Sequence, residues 1–180
     1  MDTNIRDSCF ENSGGKVSAK YDPERLITDV TNLIRDNLNT KVAEIQAEKD
    51  LLLGADNFEL PLVDDEAYFD SLDEGVTNFN PFIYIGMDSN SAVSSGGAGT
   101  IQELAIFVTI FIVKDNADAK INMKVFRYTR AFMEIIEKNF GKITYTSSMK
   151  ISTIAPQDMA SDENEDIHKA GGIVISAVMG

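Results

Sequence analysis

The run from Thr100 to Lys114 constrains the fold more than any other part of the chain. After Glu103 its apolar residues alternate, and the side chains between them include Phe107 and Phe111. β-Branched and aromatic residues favour strands. Because both faces are apolar near the centre, we expect an inner strand of a sheet that is covered on both sides. The alternating residues are Leu104, Ile106, Val108, Ile110 and Ile112.

An amphipathic segment after the first twenty residues predicts the first main helix. It begins at Asp22-Pro23-Glu24, where aspartate can cap free N–H groups and proline suits the first helical position. Apolar residues at helical spacing carry the pattern to about Leu52, and Gly54 is the stop signal. The polar stretch Asn37–Thr40 either interrupts this helix or lies within it.

A second helix is predicted from Ile121 to Phe140. Its apolar residues form one face, and Gly141 ends the pattern. On its outer side Glu134 lies four residues from Arg130 and four from Lys138. Opposite charges at this spacing stabilise a helix.

Shorter segments predict the remaining strands. Pro81–Gly86 is a strand between chain-breaking residues, and Gly171–Met179 is a final strand. Ile143–Ile154 is either one strand or a short hairpin around Ser147-Ser148. Residues 88–99 are predicted to be a flexible connection, and residues 158–166 an acidic loop. The sequence therefore predicts an α+β fold, with a mostly antiparallel or mixed β-sheet of about four strands flanked by two main helices.

The length of 180 residues suits one domain with an appendage. Residues 1–20 are polar, and we expect a flexible N-terminal arm that cannot fold alone. Residues 21–180 are predicted to form a single α+β domain. Within it, residues 56–80 form a long acidic loop without a basic residue. Aromatic and aliphatic side chains are interleaved there, which indicates that the loop packs against the protein and can hold a short strand or helical turn.

The charge and composition of the chain limit the partners that it can bind and the cellular compartment in which we expect it. The chain has 29 acidic and 16 basic residues, a formal net charge of −13. Such a surface repels phosphate backbones and anionic lipids, although an acidic channel wall would let DNA slide past. No apolar run is long enough to span a membrane, no signal peptide opens the chain, and the single Cys9 cannot form an internal disulfide. We expect a protein that stays in a cytosol or leaves it inside an assembly.

No residue pattern predicts catalysis. The run Ser94–Thr100 lacks the lysine and the following helix of a phosphate loop and is interpreted as a hairpin loop. The acidic clusters Asp64–Glu66 and Asp162–Asp166 lack the spacing of a calcium loop and are interpreted as solvated or interface patches. The single histidine, His168, is expected at the surface or at a strand edge. We therefore predict no catalytic, cofactor-binding or metal-binding residues, no cofactor and no enzyme activity.

The order of elements resembles a known family. A leading amphipathic helix is followed by the strand Pro81-Phe82-Ile83-Tyr84-Ile85-Gly86 and the long strand Glu103–Ile112. A helix that contains Tyr128–Ile136 and a closing strand come next. This order is similar to that of the tail terminator or tail completion proteins of tailed bacteriophages. The resemblance covers about residues 22–179 and lies in element order and not in an invariant motif.

The resemblance implies a structural virion protein with no catalytic residues. It implies a homo-oligomeric, six-fold ring at the neck that caps the tail tube, joins it to the head–tail connector and lets DNA pass through its lumen. The protein would be made in the cytoplasm of the bacterial host and reside in the virion tail or neck. Residues 1–20 and 56–80 depart from the short family members.

Three alternatives remain open at this point. The chain can be another virion part, such as a head-completion or baseplate protein, or a non-viral cytosolic adaptor module. It can also be an enzyme that uses clustered carboxylates, such as Asp162 and Glu165, with a metal ion.

Overall fold

The structure is a computed structural model that describes most of the chain after the predicted arm. Residues 1–20, including Cys9, and the acidic cluster Asp162–Asp166 lie outside the described part, so the interpretations of these segments stay predictions. The described residues are 23–54, 57–72, 79–88, 93–96, 99–113, 120–143, 146–160 and 167–179.

Two helices and a mostly antiparallel sheet build the described part, which confirms the α+β class. The strands lie in the order β1-β2-β4-β6-β5, with β3 paired to β4, and β1–β2 is the parallel pair. The strand count exceeds the predicted four because two short strands, β1 and β3, join the sheet. The elements are α1 (Pro23–Leu53), β1 (Tyr68–Phe69), β2 (Phe82–Asp88), β3 (Val93–Gly96), β4 (Gly99–Val113), α2 (Ile121–Asn139), a 3-10 turn (Phe140–Lys142), β5 (Thr146–Ala160) and β6 (Ile167–Met179).

Helix α1 runs without interruption through the polar stretch at residues 37–40. Leu38 is fully buried there and continues the apolar stripe, while the Asn37 side chain donates a hydrogen bond of 2.8 Å to the Leu33 carbonyl one turn earlier. The amide therefore bonds to the helix itself and does not break it. The helix ends at Gly54, whose φ of +56° is the left-handed conformation that glycine adopts without strain.

Three predicted boundaries are corrected by strand pairing. Residues 146–160 form one strand and not a hairpin, so residues 158–160 of the predicted acidic loop belong to β5. The final strand begins at Ile167, four residues before the predicted start. The flexible connection predicted for residues 88–99 is wrong at 93–96, because β3 pairs with residues 99–102 of β4. In each case hydrogen bonding to a neighbouring strand extends the strand beyond the predicted boundary. The composition of these segments does not reveal that pairing.

Both helices lie on one face of the sheet, where α2 packs mainly on β6 and α1 packs on α2 and β2. The β4 residues Ile106, Val108 and Ile110 face this helical layer and are fully buried. On the opposite face Phe107 is half-buried, whereas Phe111 is buried by stacking on Phe82 at 4.7 Å between ring centroids. The prediction that β4 is covered on both sides is therefore correct only towards its C-terminal end.

Residues 57–63 form an extended segment that the two helices hold by side-chain hydrogen bonds. The Asn39 amide donates to the Val63 carbonyl at 2.8 Å and accepts from the Val63 N–H at 3.0 Å. The Tyr128 hydroxyl on α2 donates to the Pro61 carbonyl, and the Leu60 N–H donates to Gln46 at 3.2 Å. This segment belongs to the predicted acidic loop, and the expectation that the loop packs against the protein is confirmed for it.

Ion pairs join the antiparallel helices along their outer side. Arg130 makes two contacts with the Glu48 carboxylate, at 2.7 and 3.0 Å, and bonds Glu134 at 2.6 Å as its spacing predicted. Glu134 also lies 3.4 Å from Lys41 on α1. Hydrogen bonds from Arg130, and then from Lys49, hold the pKa of the Glu48 carboxyl at about 2. These pairs fix the register in which α1 and α2 run past each other.

We expect Asn39→Ala to destabilise the protein. Val63 is buried, so loss of the amide leaves its backbone N–H and carbonyl without these bonds, which lowers the free energy of unfolding by about 1–3 kcal/mol. Urea unfolding measures the loss, with Asn32→Ala, at an exposed α1 position, as the control. Equal stability of the two variants would contradict the role given to Asn39.

We expect Arg130→Gln to return the pKa of Glu48 from about 2 towards its ordinary value of 4.5. Because the pKa is lower in the folded state, the pair contributes stability above about pH 4.3. That contribution is lost as the pH falls towards 2. Carboxyl chemical shifts followed by NMR report the titration, and Lys142→Gln serves as a charge-matched control. A Glu48 pKa unchanged by Arg130→Gln would disprove the assignment.

Candidate interaction surface

The predicted acidic patch at residues 64–66 forms a turn. The Ala67 N–H donates to the Asp64 carbonyl at 3.0 Å, and the Glu66 N–H donates to the Asp64 carboxylate at 2.9 Å. All three acidic side chains point into solvent. Within the part of the chain that the structure describes, no group of three or more histidine, cysteine or acidic side chains is placed to hold a metal ion. The turn therefore uses Asp64 to satisfy its own backbone.

Five of the seven residues in the serine- and glycine-rich run from Ser94 to Thr100 lie in the paired strands β3 and β4. Ser94 pairs with Ile101, and Ser95 pairs with Thr100, across the antiparallel ladder of β3 and β4. Residues 97–98, between the two strands, lie outside the described residues. The backbone groups of Ser94 and Ser95 thus belong to a sheet, in agreement with the interpretation as a hairpin and not as a phosphate loop.

His168 is buried, and its predicted position at the surface or at a strand edge is wrong. It lies near the start of β6 opposite Val113, and 4% of its surface is exposed. The ring meets Phe82 edge-on at 5.5 Å and Phe111 at 6.5 Å between centroids. Strand β6 is an inner strand between β4 and β5, which the sequence did not reveal. The aromatic contacts indicate a packing role for this histidine.

Strand β5 forms an outer edge of the sheet. Twelve of its 15 residues pair with β6 on one side, and no described residue pairs with it on the other. A register shift between Ile154 and Gln157, together with Pro156, which has no N–H, interrupts the second half of the strand. Proline and bulges are the features that protect edge strands from pairing. A second register shift lies between Thr146 and Ser148, so the stretch from Ser148 to Ile154 is the uninterrupted part that can accept another strand.

An apolar groove runs beside the stretch Ser148–Ile154 of β5. It has a volume of about 460 Å³ and lies between the C-terminal half of α2 and the strand. Helix α2 packs mainly on β6 and makes fewer contacts with β5. We call this apolar groove the α2–β5 groove. Its lining residues are Met133, Ile136, Glu137, Phe140, Met149 and Ile151.

A second apolar surface lies at the C-terminal end of α1. The consecutive residues Leu51, Leu52 and Leu53 are exposed by 90, 67 and 46%. We call Leu51–Leu53 the leucine ridge. On α2, which runs antiparallel, Phe126 and Met123 are each 57% exposed and belong to the same end of the helix pair. Clustered exposed side chains of this size mark interaction sites in soluble proteins.

Sequence reasoning missed both surfaces for different reasons. The leucines appear in the sequence as the last apolar residues of α1, but their exposure depends on where α2 begins. The groove joins residues from α2 and β5 that only the folded chain brings together. The run Leu51-Leu52-Leu53 could have indicated an exposed apolar surface from the sequence alone. Three consecutive residues on a helix point in different directions, so they cannot all face the core.

No protein-family profile matches the sequence, and no curated protein matches it. Among the described helices, none is long and apolar enough to cross a membrane.

We expect His168→Ala to lower the free energy of unfolding by about 1–3 kcal/mol, because it leaves a cavity beside the stacked Phe82 and Phe111 rings. Thermal and urea unfolding measure the change, with Lys150→Ala, at an exposed position of β5, as the control. A His168→Ala variant as stable as the control would rule out the packing role.

Proposed function

We propose that this chain is a structural subunit of a tailed bacteriophage, a tail terminator or tail completion protein. In this proposal copies of the chain form a closed ring, six-fold as in the family it resembles, at the neck of the virion. The ring caps the tail tube and joins it to the head–tail connector. The observation that carries the proposal is the exposed edge of β5 beside the apolar α2–β5 groove.

An unpaired strand edge next to an apolar groove is suited to binding protein. The edge offers backbone N–H and carbonyl groups in a row, and the groove offers apolar surface that a partner can remove from water. Exposed edges also promote unwanted association unless they are protected. In this chain the register shifts lie at Thr146/Ser148 and at Ile154/Gln157, and Pro156 lies at the second of them. The stretch Ser148–Ile154 between them carries no such protection, which supports its use by a specific partner.

The position of the two sheet edges supports a ring. Strand β5 forms one edge, and β1 and β2 form the other, where β1 pairs with β2 only at Ile83 and Tyr84. Opposite edges of one sheet are different surfaces. Contacts between different surfaces of identical subunits are head-to-tail, and they close into a ring when the rotation between subunits allows it.

The charge of the chain agrees with a channel for DNA. The formal net charge is −13, and the exposed turn at Asp64–Glu66 adds to the acidic surface. A negative wall repels the phosphate backbone, so DNA passes without being retained. The same charge would oppose a function in binding nucleic acid.

Native mass spectrometry over a range of protein concentrations tests the proposal. We expect a closed oligomer of defined size, formed by the chain alone or on addition of the phage tail tube protein. Negative-stain electron microscopy of the same sample should show rings with a central opening. A chain that stays monomeric and binds neither the tail tube nor the connector would refute the proposal and favour the adaptor alternative.

A further inference from the structure

We propose that Lys150 determines which strands the free edge of β5 accepts. Its charge keeps the β5 edges of two copies from pairing with each other. The edge is then left for a strand that places a neutral or acidic side chain opposite the lysine. As an account of ring assembly this role of Lys150 rests on the proposed function, because a head-to-tail ring requires that β5 does not pair with β5 of another copy.

Lys150 is the one charged residue in the stretch of β5 that another strand can pair with. The stretch Ser148–Ile154 has the sequence Ser-Met-Lys-Ile-Ser-Thr-Ile and lies between the two register shifts. The lysine is exposed and forms no ion pair with a residue that the structure describes. Lysine on an edge strand disfavours association through that edge. Its charge therefore protects the part of β5 that the register shifts and Pro156 leave open.

The side chain of Lys150 lies on the face of the sheet that is turned away from the helices. Its neighbours Met149 and Ile151 line the α2–β5 groove on the helical side, and successive side chains of a strand point to opposite faces. Glu103 of β4 is two strands away, because β6 lies between β4 and β5. The charge of Lys150 is therefore not neutralised by the residues beside it in the sheet. These adjacent positions on its face are Ser148, Ser152 and, on β6, Ser176.

A two-fold dimer through β5 would bring two copies of Lys150 together. If all of Ser148–Ile154 pairs with itself, the two-fold axis passes through Ile151, and each lysine lies opposite Ser152 of the other copy. The two lysines are then diagonal neighbours on one face, about 7–8 Å apart. An axis at Lys150 places them directly opposite each other, where like charges are destabilising. A shift the other way separates the lysines but pairs only residues 150–154.

A strand from a different surface avoids this repulsion. Symmetry does not fix the residue that such a strand places opposite Lys150, so this residue can be neutral, or acidic and attracted to the lysine. In a head-to-tail ring the edge of β5 always meets a different surface of the next copy. One charge on the edge thereby favours the head-to-tail contact over the two-fold contact.

Replacement of the lysine tests this role. We expect Lys150→Thr to raise the association constant of two-fold dimers by about threefold to fivefold, because it removes a like-charge pair. Sedimentation velocity measures the dimer at concentrations at which the parent chain is monomeric. Hydrogen exchange should show new protection of the amides of Ser148–Ile154. The matched control is Lys142→Thr, which removes an exposed lysine outside β5 and changes the net charge equally.

A charge swap gives a second measurement. Lys150→Glu alone should stay as monomeric as the parent chain, because two glutamates repel each other as two lysines do. A mixture of Lys150→Glu with the parent chain should associate more strongly than either alone, since the diagonal pair then carries opposite charges. Equal association of Lys150→Thr and Lys142→Thr, or a mixture no stronger than its components, would overturn the role of Lys150.

Native mass spectrometry of the parent chain keeps the two proposals apart. Closed rings of the parent chain, together with a Lys150→Thr variant that behaves like Lys142→Thr, would overturn the role of Lys150 and leave the proposed function standing. A parent chain that never forms a ring, together with Lys150→Thr dimers paired through β5, would refute the ring and support the role of Lys150 at the strand edge.

Discussion

The pair of hydrogen bonds between the Asn39 amide and the Val63 backbone is the interaction on which the rest of the structure depends. Residues 57–63 belong to no strand, yet Leu60 and Val63 are buried and their backbone polar groups need partners. Side chains of the helices supply these partners. Asn39 bonds both the N–H and the carbonyl of Val63, as the backbone of a neighbouring strand would. With the segment fixed, the Ile83 N–H donates to the Ala67 carbonyl at 2.8 Å and β1 lies along β2.

The same segment also accounts for the buried arginine in the layer that the two helices form. Arg127 on α2 donates a hydrogen bond of 2.8 Å to the Asn57 side chain, and its guanidinium lies 3.8 Å from the Phe58 ring centroid. Burial removes water from this guanidinium and lowers its pKa. The contacts to Asn57 and Phe58 offset the cost of that burial. α1, the segment and α2 thereby form one unit on the sheet. This unit contacts β2, β4, β5 and β6, and α2 packs mainly on β6. The α2–β5 groove lies between the C-terminal half of α2 and β5, so the position of α2 on the sheet determines where it lies.

The proposed function depends on surfaces and not on reactive groups. The strand edge at Ser148–Ile154, the apolar groove beside it and the exposed leucine ridge at the other end of the helix pair leave apolar area or backbone groups open to unwanted association. In the proposed head-to-tail ring, a neighbouring subunit would cover the strand edge and the groove.

The sequence by itself determined the elements whose signal is local. The alternation in β4, the apolar faces of α1 and α2, and the Arg130–Glu134 pair could be predicted because they repeat with the period of a strand or a helix. Tertiary structure alone decided the burial of His168, the pairing of β3, the edge position of β5 and the groove. Each of these depends on which element becomes a neighbour. Residues such as Asn39 and Val63 meet across 24 positions of chain through three-dimensional packing, which no local pattern encodes.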